Sequence, residues 1–562
     1  MSQTLWSTLW QQATRTGDAP LLKLYRSSSS SSTLSSSFQQ DLPTVSYARF
    51  VDLSTACALM LRRQPDLSAA LSSGPLRFAV LSENSLDLLV LIAACWKAAV
   101  APLLLSPGLS ADEWRRLCDA GGCRVLVVSR AMRGTLQEQT AVVIATLEEL
   151  TDQQRVCFAS EERHVVECGE DQVREDSVAM LLHTSGSTGH PKLVPLTHKA
   201  LVANQRACRG VLESRWKSGE GSALWLPLCH GFALASEFLH ALFAGGWCCL
   251  LETGSQPPQP QHVAEAVSRS GAAVLCAVPW MLTALRQLAA SRGDRDSMHE
   301  LAGLRLCLVG GAALACEDAR WMAAQGVLVA NLLGITELAG SIMFSSLHSS
   351  PSSSASSSLF SLPSSWKPAS CLSLQLVPGL GGQMLPYSAD GSFQLVFPRR
   401  ASLTLFAGYL DCDSDLDVFH TRDLFLPSAD AGWIHVGRTD FSFKSATGLE
   451  SNPAVLEHAM QQCPGVARAL LYGEAQQHNA LLLELLPGVS RDPSRLQVLR
   501  EHLQAANRAV APHSRVPMHA LALLPEGISL PTTPKGSIDR PRAILAFHKL
   551  LNGLYSPSSS SS

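Results

Sequence analysis

Short, continuous apolar runs recur along most of the chain, at Arg77–Leu81, Val125–Val128, Ala179–His183, Ala273–Ala277 and Leu304–Val309. Runs of this length without polar alternation are the pattern of strands covered on both faces. Between them lie segments of helical period such as Ala111–Cys118 and Val263–Ser270. The alternation predicts an α/β architecture with largely buried strands. The most apolar stretch, Leu88–Leu105, is interrupted by Lys97 and Pro102. It falls short of the roughly 20 residues a bilayer span requires, so it predicts a buried helix followed by a strand and no membrane span.

From Gly437 the pattern shortens and mixes. A helix is expected over Pro453–Gln461, strands near Val466–Leu471 and Ala480–Leu486, and a helix over Pro493–Ala509. The expected organisation is a large N-terminal multi-layer α/β domain over residues 1–436 and a smaller, mobile α+β domain over 437–555, with a hinge near Asp440. Serine-rich stretches at Ser27–Ser37, Ser345–Ser365 and Ser556–Ser562 bury too little to offset their ordering entropy and read as mobile inserts and a tail.

Composition narrows the function classes. The 562 residues are 46% hydrophobic with a formal net charge of -3 and a pI near 6.6, so no basic excess recruits nucleic acid or an anionic membrane. The 16 cysteines show no CxxC spacing, and the opening MSQTLWSTLWQQATR lacks an apolar core of signal-peptide length. The last three residues are serines, not an SKL address. A globular enzyme in the reducing cytoplasm is the expectation.

The candidate chemistry begins at Ala179–Leu182, a predicted strand that runs into His183-Thr184-Ser185-Gly186-Ser187-Thr188-Gly189-His190-Pro191-Lys192. Glycines permit a sharp turn and close approach, exposed N–H groups and hydroxyls donate to phosphate oxygens, and a lysine adds charge. The spacing is not that of the GxxxxGK[ST] loop. Composition alone permits two readings, a polyphosphate cradle or a polar surface loop.

The full string, with Thr197-His198 behind it, resembles the signature of the acyl-adenylate-forming superfamily, which includes acyl-CoA synthetases, luciferases and nonribosomal peptide adenylation domains. Further segments resemble that family's motifs in order: LPLCHGF at Leu226–Phe232, VGGAAL at Val309–Leu314, NLLGITE at Asn331–Glu337, FHTRDLF at Phe419–Phe425, GRTD at Gly437–Asp440 and LPTTPKGSIDR at Leu530–Arg540. The stretch from Gly448 through Asn452-Pro453 to Glu457 is similar to the adenylation region of fungal NRPS-like adenylate-forming reductases.

The resemblance implies ATP-dependent activation of a small-molecule carboxylic acid to acyl-AMP with release of pyrophosphate. It places Thr184, Ser185, Gly186, Ser187, Thr188, Gly189 and Lys192 on phosphate, and Gly311, Ala312, Asn331, Leu333 and Gly334 around adenine and the acyl group. Asp423 and Arg438 would bind ribose, Glu337 would hold Mg²⁺, and Thr336 would contact phosphate or acyl oxygen. Lys535 would bridge the substrate carboxylate and phosphate, and His230 would stand between acyl pocket and thiol channel. Amino-acid-activating relatives often carry an aspartate where this chain has Gly231, which favours an aryl or aliphatic acid over an α-amino acid. The expected pocket is bordered by Leu234, Ala235, Ala312, Ala313 and Ile335.

Three positions depart from the family pattern: Leu193 replaces a glycine, Leu333 an aromatic residue, and Arg422 the glycine of the TGD motif. Arg422 has two candidate partners, Asp423 and a phosphate. The fungal reductases continue into carrier and reductase domains, whereas this sequence ends soon after Arg540 without a carrier serine motif. The expected thiol acceptor is therefore coenzyme A, or the phosphopantetheine of a separate carrier protein. A third reading is a degenerate homologue that binds nucleotide without turnover.

Overall fold

The computed structural model describes residues 3–26, 42–63, 77–133, 143–151, 173–184, 191–254, 256–292, 301–312, 314, 316–345, 372–387, 391–410, 417–441, 443–444, 450–474, 476–508, 510, 512–533 and 537–555. The serine-rich stretches lie outside these residues, Ser345 excepted. The chain divides into two compact units. The larger comprises residues 1–381 and 398–417, and the smaller comprises 382–397 and 418–562.

The larger unit carries two sheets. In the first, Val143–Thr146, Val125–Val128, Arg77–Leu81, Ala101–Leu105 and Val178–Thr184 lie side by side in parallel, and Lys192–Thr197 closes the edge antiparallel to the last. In the second, Leu328–Ile335, Leu306–Val309, Val274–Ala277, Gly221–Leu224, Trp247–Glu252 and Pro20–Arg26 are successive parallel neighbours. Gly340–Ser345 and Ser373–Leu376 extend this sheet antiparallel on one side and Thr44–Ser46 on the other.

The expected buried strands are present. All four residues of Val125–Val128 are buried, as are all five of Ala101–Leu105. Leu88–Leu105 resolves into the helix Leu86–Ala98 followed by that strand. Ser85 caps the helix by accepting from Leu88 N, and Ala99 ends it in the left-handed conformation. Eleven of the helix's thirteen side chains are buried, each large apolar one contributing about 1.5–3 kcal/mol. The helix expected from Val263 starts earlier, at Pro260, because proline suits the first helical position. Among the described residues no helix is long and apolar enough to cross a membrane.

In the smaller unit Gln383–Pro386, Phe393–Pro398, Val418–Pro427 and Trp433–Arg438 are neighbouring strands. The helix Ala454–Gln461, strands Val466–Tyr472 and Ala480–Leu485, and helix Pro493–Arg508 follow. They meet in a core that includes Leu456, Met460, Leu471, Leu483, Leu499 and Leu503.

Candidate functional site

In the larger unit the glycine-rich segment is the connection of a β-hairpin. Thr184 and Lys192 are paired across it, as are His183 and Leu193. The ladder fixes where the chain enters and leaves; Ser185, Gly186, Ser187, Thr188 and Gly189 lie outside the described residues. Leu193 is fully buried and packs with Leu103, Leu181 and Trp114. Its side chain therefore serves the core of the first sheet, and replacing the family's glycine with leucine costs the hairpin nothing visible.

Lys192 Nζ lies 4.9 Å from the centre of the Tyr409 ring, and the Tyr409 hydroxyl donates to Glu337 Oε1 at 2.6 Å. Glu337 sits in the single 3₁₀ turn Thr336–Leu338, and its carbonyl accepts from Phe406 N. Three segments remote in sequence thus place a lysine, a phenol and a carboxylate in line. Thr336 faces Gly231: a Cβ at Gly231 would lie 3.9 Å from Thr336 Oγ1 and 3.7 Å from Leu182. His183 Nε2 accepts from Ser106 N at 3.2 Å, and its ring meets that of His230 edge-on at 6.2 Å. Asn84 fixes the segment before His230, donating to Leu226 O and accepting from Leu228 N. The structure therefore brings together Lys192, Glu337, Thr336 and His230 of the expected set, and adds Tyr409 and Asn84.

The segments expected around adenine lie where the parallel strands of the second sheet end, the edge at which open α/β sheets bind ligands. Gly310 tolerates no side chain, since a Cβ would come within 2.6 Å of Leu332, and Gly311 has φ +85°. Ala312 is half-buried, and Ala313 lies outside the described residues. Asn331 N donates to Ser345 Oγ at 2.9 Å. A bulge separates Leu333 from Gly334, leaving Leu333 half-buried and Gly334 exposed.

In the smaller unit Asp423 and Arg438 are paired across two antiparallel strands. Asp423 is 4% exposed; its Oδ1 lies 3.0 Å from His435 Nε2 and 3.5 Å from Arg438 Nη1. Arg438 Nη2 and Arg422 Nη1 each donate to Asp440 at 2.9 Å. Burial pushes the Asp440 carboxyl up, but the bonds and charge of Arg438, then Arg422, outweigh it and hold the pKa below the usual carboxylate range. Arg422 thus pairs with Asp440. Its backbone has φ +66°, in the left-handed region that glycine adopts without steric cost.

Lys535 lies outside the described residues. Its flanks are tied by Thr533 N to Ser537 O and Asp539 N to Pro531 O, both 2.8 Å. Behind them Arg540, 8% exposed, donates to Glu457 Oε1 at 2.6 Å and to Leu471 O at 2.5 Å. His198 of the Thr-His pair takes no place in this arrangement. It is buried against the first helix, accepting from Leu5 N, and burial lowers its pKa to about 4.

Among solved structures, an anthranilate CoA ligase in complex with anthranoyl-AMP matches over 97% of each chain with a TM-score of 0.68 and 17% identity. ATP-bound MatB from Rhodopseudomonas palustris matches with a TM-score of 0.70 and 18% identity, covering 98% of this chain and 100% of that one. These likenesses establish the acyl-CoA synthetase-like fold. Among curated proteins, the adenylate-forming reductase stbB of Stachybotrys bisbyi is 24% identical over 92% of this chain and 46% of its own length. A carboxylic acid reductase of Neurospora crassa is 22% identical over 85% of this chain and 44% of its own. The chain spans about half the length of these relatives. The pattern described as AMP-binding enzyme matches residues 9–393, and that of the AMP-binding enzyme C-terminal domain matches residues 443–559. With most of its length matched in this way, the chain belongs to the AMP-binding enzyme family.

Proposed function

We propose that the protein converts a carboxylic acid and ATP to acyl-AMP and pyrophosphate, and then passes the acyl group to the thiol of coenzyme A. The observation that carries the reading is the Lys192–Tyr409–Glu337 line beside Thr336 and Gly231. Attack of a carboxylate on the α-phosphorus needs two anions held together and the growing charge offset. In this reading the hairpin from Thr184 through Ser185, Gly186, Ser187, Thr188 and Gly189 to Lys192 holds phosphate. Thr336 orients the acyl or phosphate oxygen, and Glu337 takes the metal. Mg²⁺ commonly takes one or two carboxylates with phosphate oxygens, and a single glutamate held by a phenol fits that donor set. Bound there, Mg²⁺ would offset charge on the phosphates.

Asp423 and Arg438 bind ribose in this proposal. Gly311, Ala312, Asn331, Leu333 and Gly334 contact adenine or the acyl group, and Lys535 bridges the reacting anions. Gly231 lacks the carboxylate an α-ammonium would need, which supports an aryl or aliphatic acid. A second reading, transfer to a carrier protein's phosphopantetheine with His230 at the thiol channel, is supported by the relatives named as adenylate-forming reductases.

Acid-dependent exchange of labelled pyrophosphate into ATP tests the reaction. Exchange with at least one aryl or medium-chain acid is expected, and Lys535→Ala should abolish acyl-AMP formation while circular dichroism stays unchanged. No exchange across the panel by a folded protein would defeat the enzyme reading. Product analysis with and without coenzyme A separates the two acceptors.

A further inference from the structure

The pair of strands that carries Asp423 and Arg438 has one irregularity, and it falls beside the carboxylate. Val418–Pro427 and Trp433–Arg438 pair with Asp423 opposite Arg438 and Leu424 opposite Gly437, but Phe425 stands opposite His435, so Val436 is an extra residue. In unbroken register Phe425 would face Val436, and His435 would share the other face with Leu424 and Leu426. The bulge instead puts Val436 into the apolar core with Leu424 and turns His435 onto the face of Asp423. Bulges re-aim side chains in this way and are over-represented next to active sites.

The re-aimed ring makes two contacts. Its Nε2 lies 3.0 Å from Asp423 Oδ1, and it meets the Phe425 ring edge-on with centres 5.3 Å apart. A carboxylate oxygen only accepts, so the hydrogen of this bond sits on Nε2. Arg438 Nη1 approaches the same oxygen at 3.5 Å, while Arg438 Nη2 donates to Asp440. Both contacts fall on Oδ1 and leave Oδ2 without a hydrogen-bond partner among the described residues. The carboxylate is buried, whereas the two side chains that touch it reach the surface, His435 at 33% and Arg438 at 40% exposure.

The terminal torsion of an aspartate is broad, so a carboxylate without an anchor presents its oxygens in no fixed direction. Arg438 is the weaker anchor, because it is farther away and shared with Asp440. The shorter bond from His435 sets the rotation.

We infer that His435 is a positioning residue for nucleotide binding, anchoring Asp423 through Oδ1 so that Oδ2 is presented to the ribose hydroxyls. The inference rests on the adenylation reading, which assigns ribose to Asp423 and Arg438. Isothermal titration of the full chain with ATP and with 2′,3′-dideoxy-ATP tests it, because the analogue keeps base and phosphates and lacks only the two hydroxyls. Wild type is compared with Asp423→Asn, His435→Phe and His435→Gln. Phenylalanine keeps the edge contact with Phe425 and removes the donor, and glutamine returns an N–H near the position of Nε2. His435→Leu replaces the Phe variant if the larger ring prevents folding.

Wild type should bind ATP roughly tenfold or more tightly than the analogue, the worth of hydrogen bonds to a charged group. His435→Phe should bind ATP roughly tenfold more weakly with its affinity for the analogue unchanged, and His435→Gln should recover most of the loss. In pyrophosphate exchange the KM for ATP should rise with little change in kcat. A Phe variant that keeps the wild-type preference overturns the role of His435, as does one that weakens both nucleotides equally, the mark of a merely structural residue. Wild type that does not distinguish the nucleotides, or Asp423→Asn that still does, overturns the ribose assignment itself and the inference with it.

Discussion

At the residue scale, Tyr409 gives the larger unit's site its coherence, because its ring lies under Lys192 and its hydroxyl holds Glu337. Tyr409→Phe keeps the ring and removes only the 2.6 Å bond. Hydrogen bonds to charged groups contribute about 1.5–3 kcal/mol, so exchange should fall roughly tenfold or more with little change in melting temperature. An unchanged rate would reduce the phenol to packing. Lys192 and Glu337 were legible in the sequence because each stands in a contiguous motif. Tyr409 was not, because its partner is 72 residues away and FAGYL reads as an ordinary apolar turn. The substitutions at Leu193 and Arg422 were visible as departures, but their consequences were not. One is absorbed by the core of the first sheet, and the other by an ion pair with Asp440 that only the hairpin geometry creates. His198, conversely, stands in a motif but holds the first helix.

At the scale of elements, strands such as Val125–Val128 could be read directly, since a short continuous apolar run bounded by polar residues has few alternatives. The π-helix Phe232–Phe238 could not, because HGFALASEF has no local mark of its extra residue. The support of the lysine turn was also hidden. Arg540 binds Glu457 and Leu471 O, linking the turn's following helix to a helix and strand far earlier in the chain. Burial raises the Glu457 pKa and the charge of Arg540 opposes it, so the ion pair keeps the carboxyl in use. Arg540→Met keeps much of the volume but removes the charged partner of Glu457, leaving that carboxyl only the Leu471 N–H, and removes the donor to Leu471 O. Breaking a buried pair from one side costs about 3–5 kcal/mol, so urea denaturation should show the smaller unit destabilised by that amount. A loss below about 1 kcal/mol would mean that the pair is as weak as an exposed one.

At the scale of the molecule, three buried groups of the larger unit set opposing pH dependences. Burial lowers the His198 pKa to about 4, and burial followed by the charge of Arg209 lowers that of His240 to about 3. Both histidines are neutral in the fold, whereas in the unfolded chain each protonates near pH 6.5. Below that value the unfolded state takes up protons that the fold refuses. Acidification from about 6.5 to 4 therefore removes stability, by about 1.4 kcal/mol per pH unit for each histidine. Glu237 acts in the other direction. Burial raises its pKa well above the ordinary value, so the fold keeps a proton that the unfolded chain releases above about pH 4.3. Its contribution is fully present below that pH and is lost as pH rises towards the folded pKa. Between pH 4.3 and 6.5 one carboxyl opposes two histidines, and above 6.5 it acts without them. Glu237→Gln isolates this term, because the other titrating groups cancel when variant and wild type are compared. Urea denaturation at pH 5, 6, 7 and 8 should show the variant gaining about 1.4 kcal/mol per unit relative to wild type as pH rises, up to the folded pKa of Glu237. A stability difference that stays constant across those four pH values would mean that Glu237 is ionised in the fold.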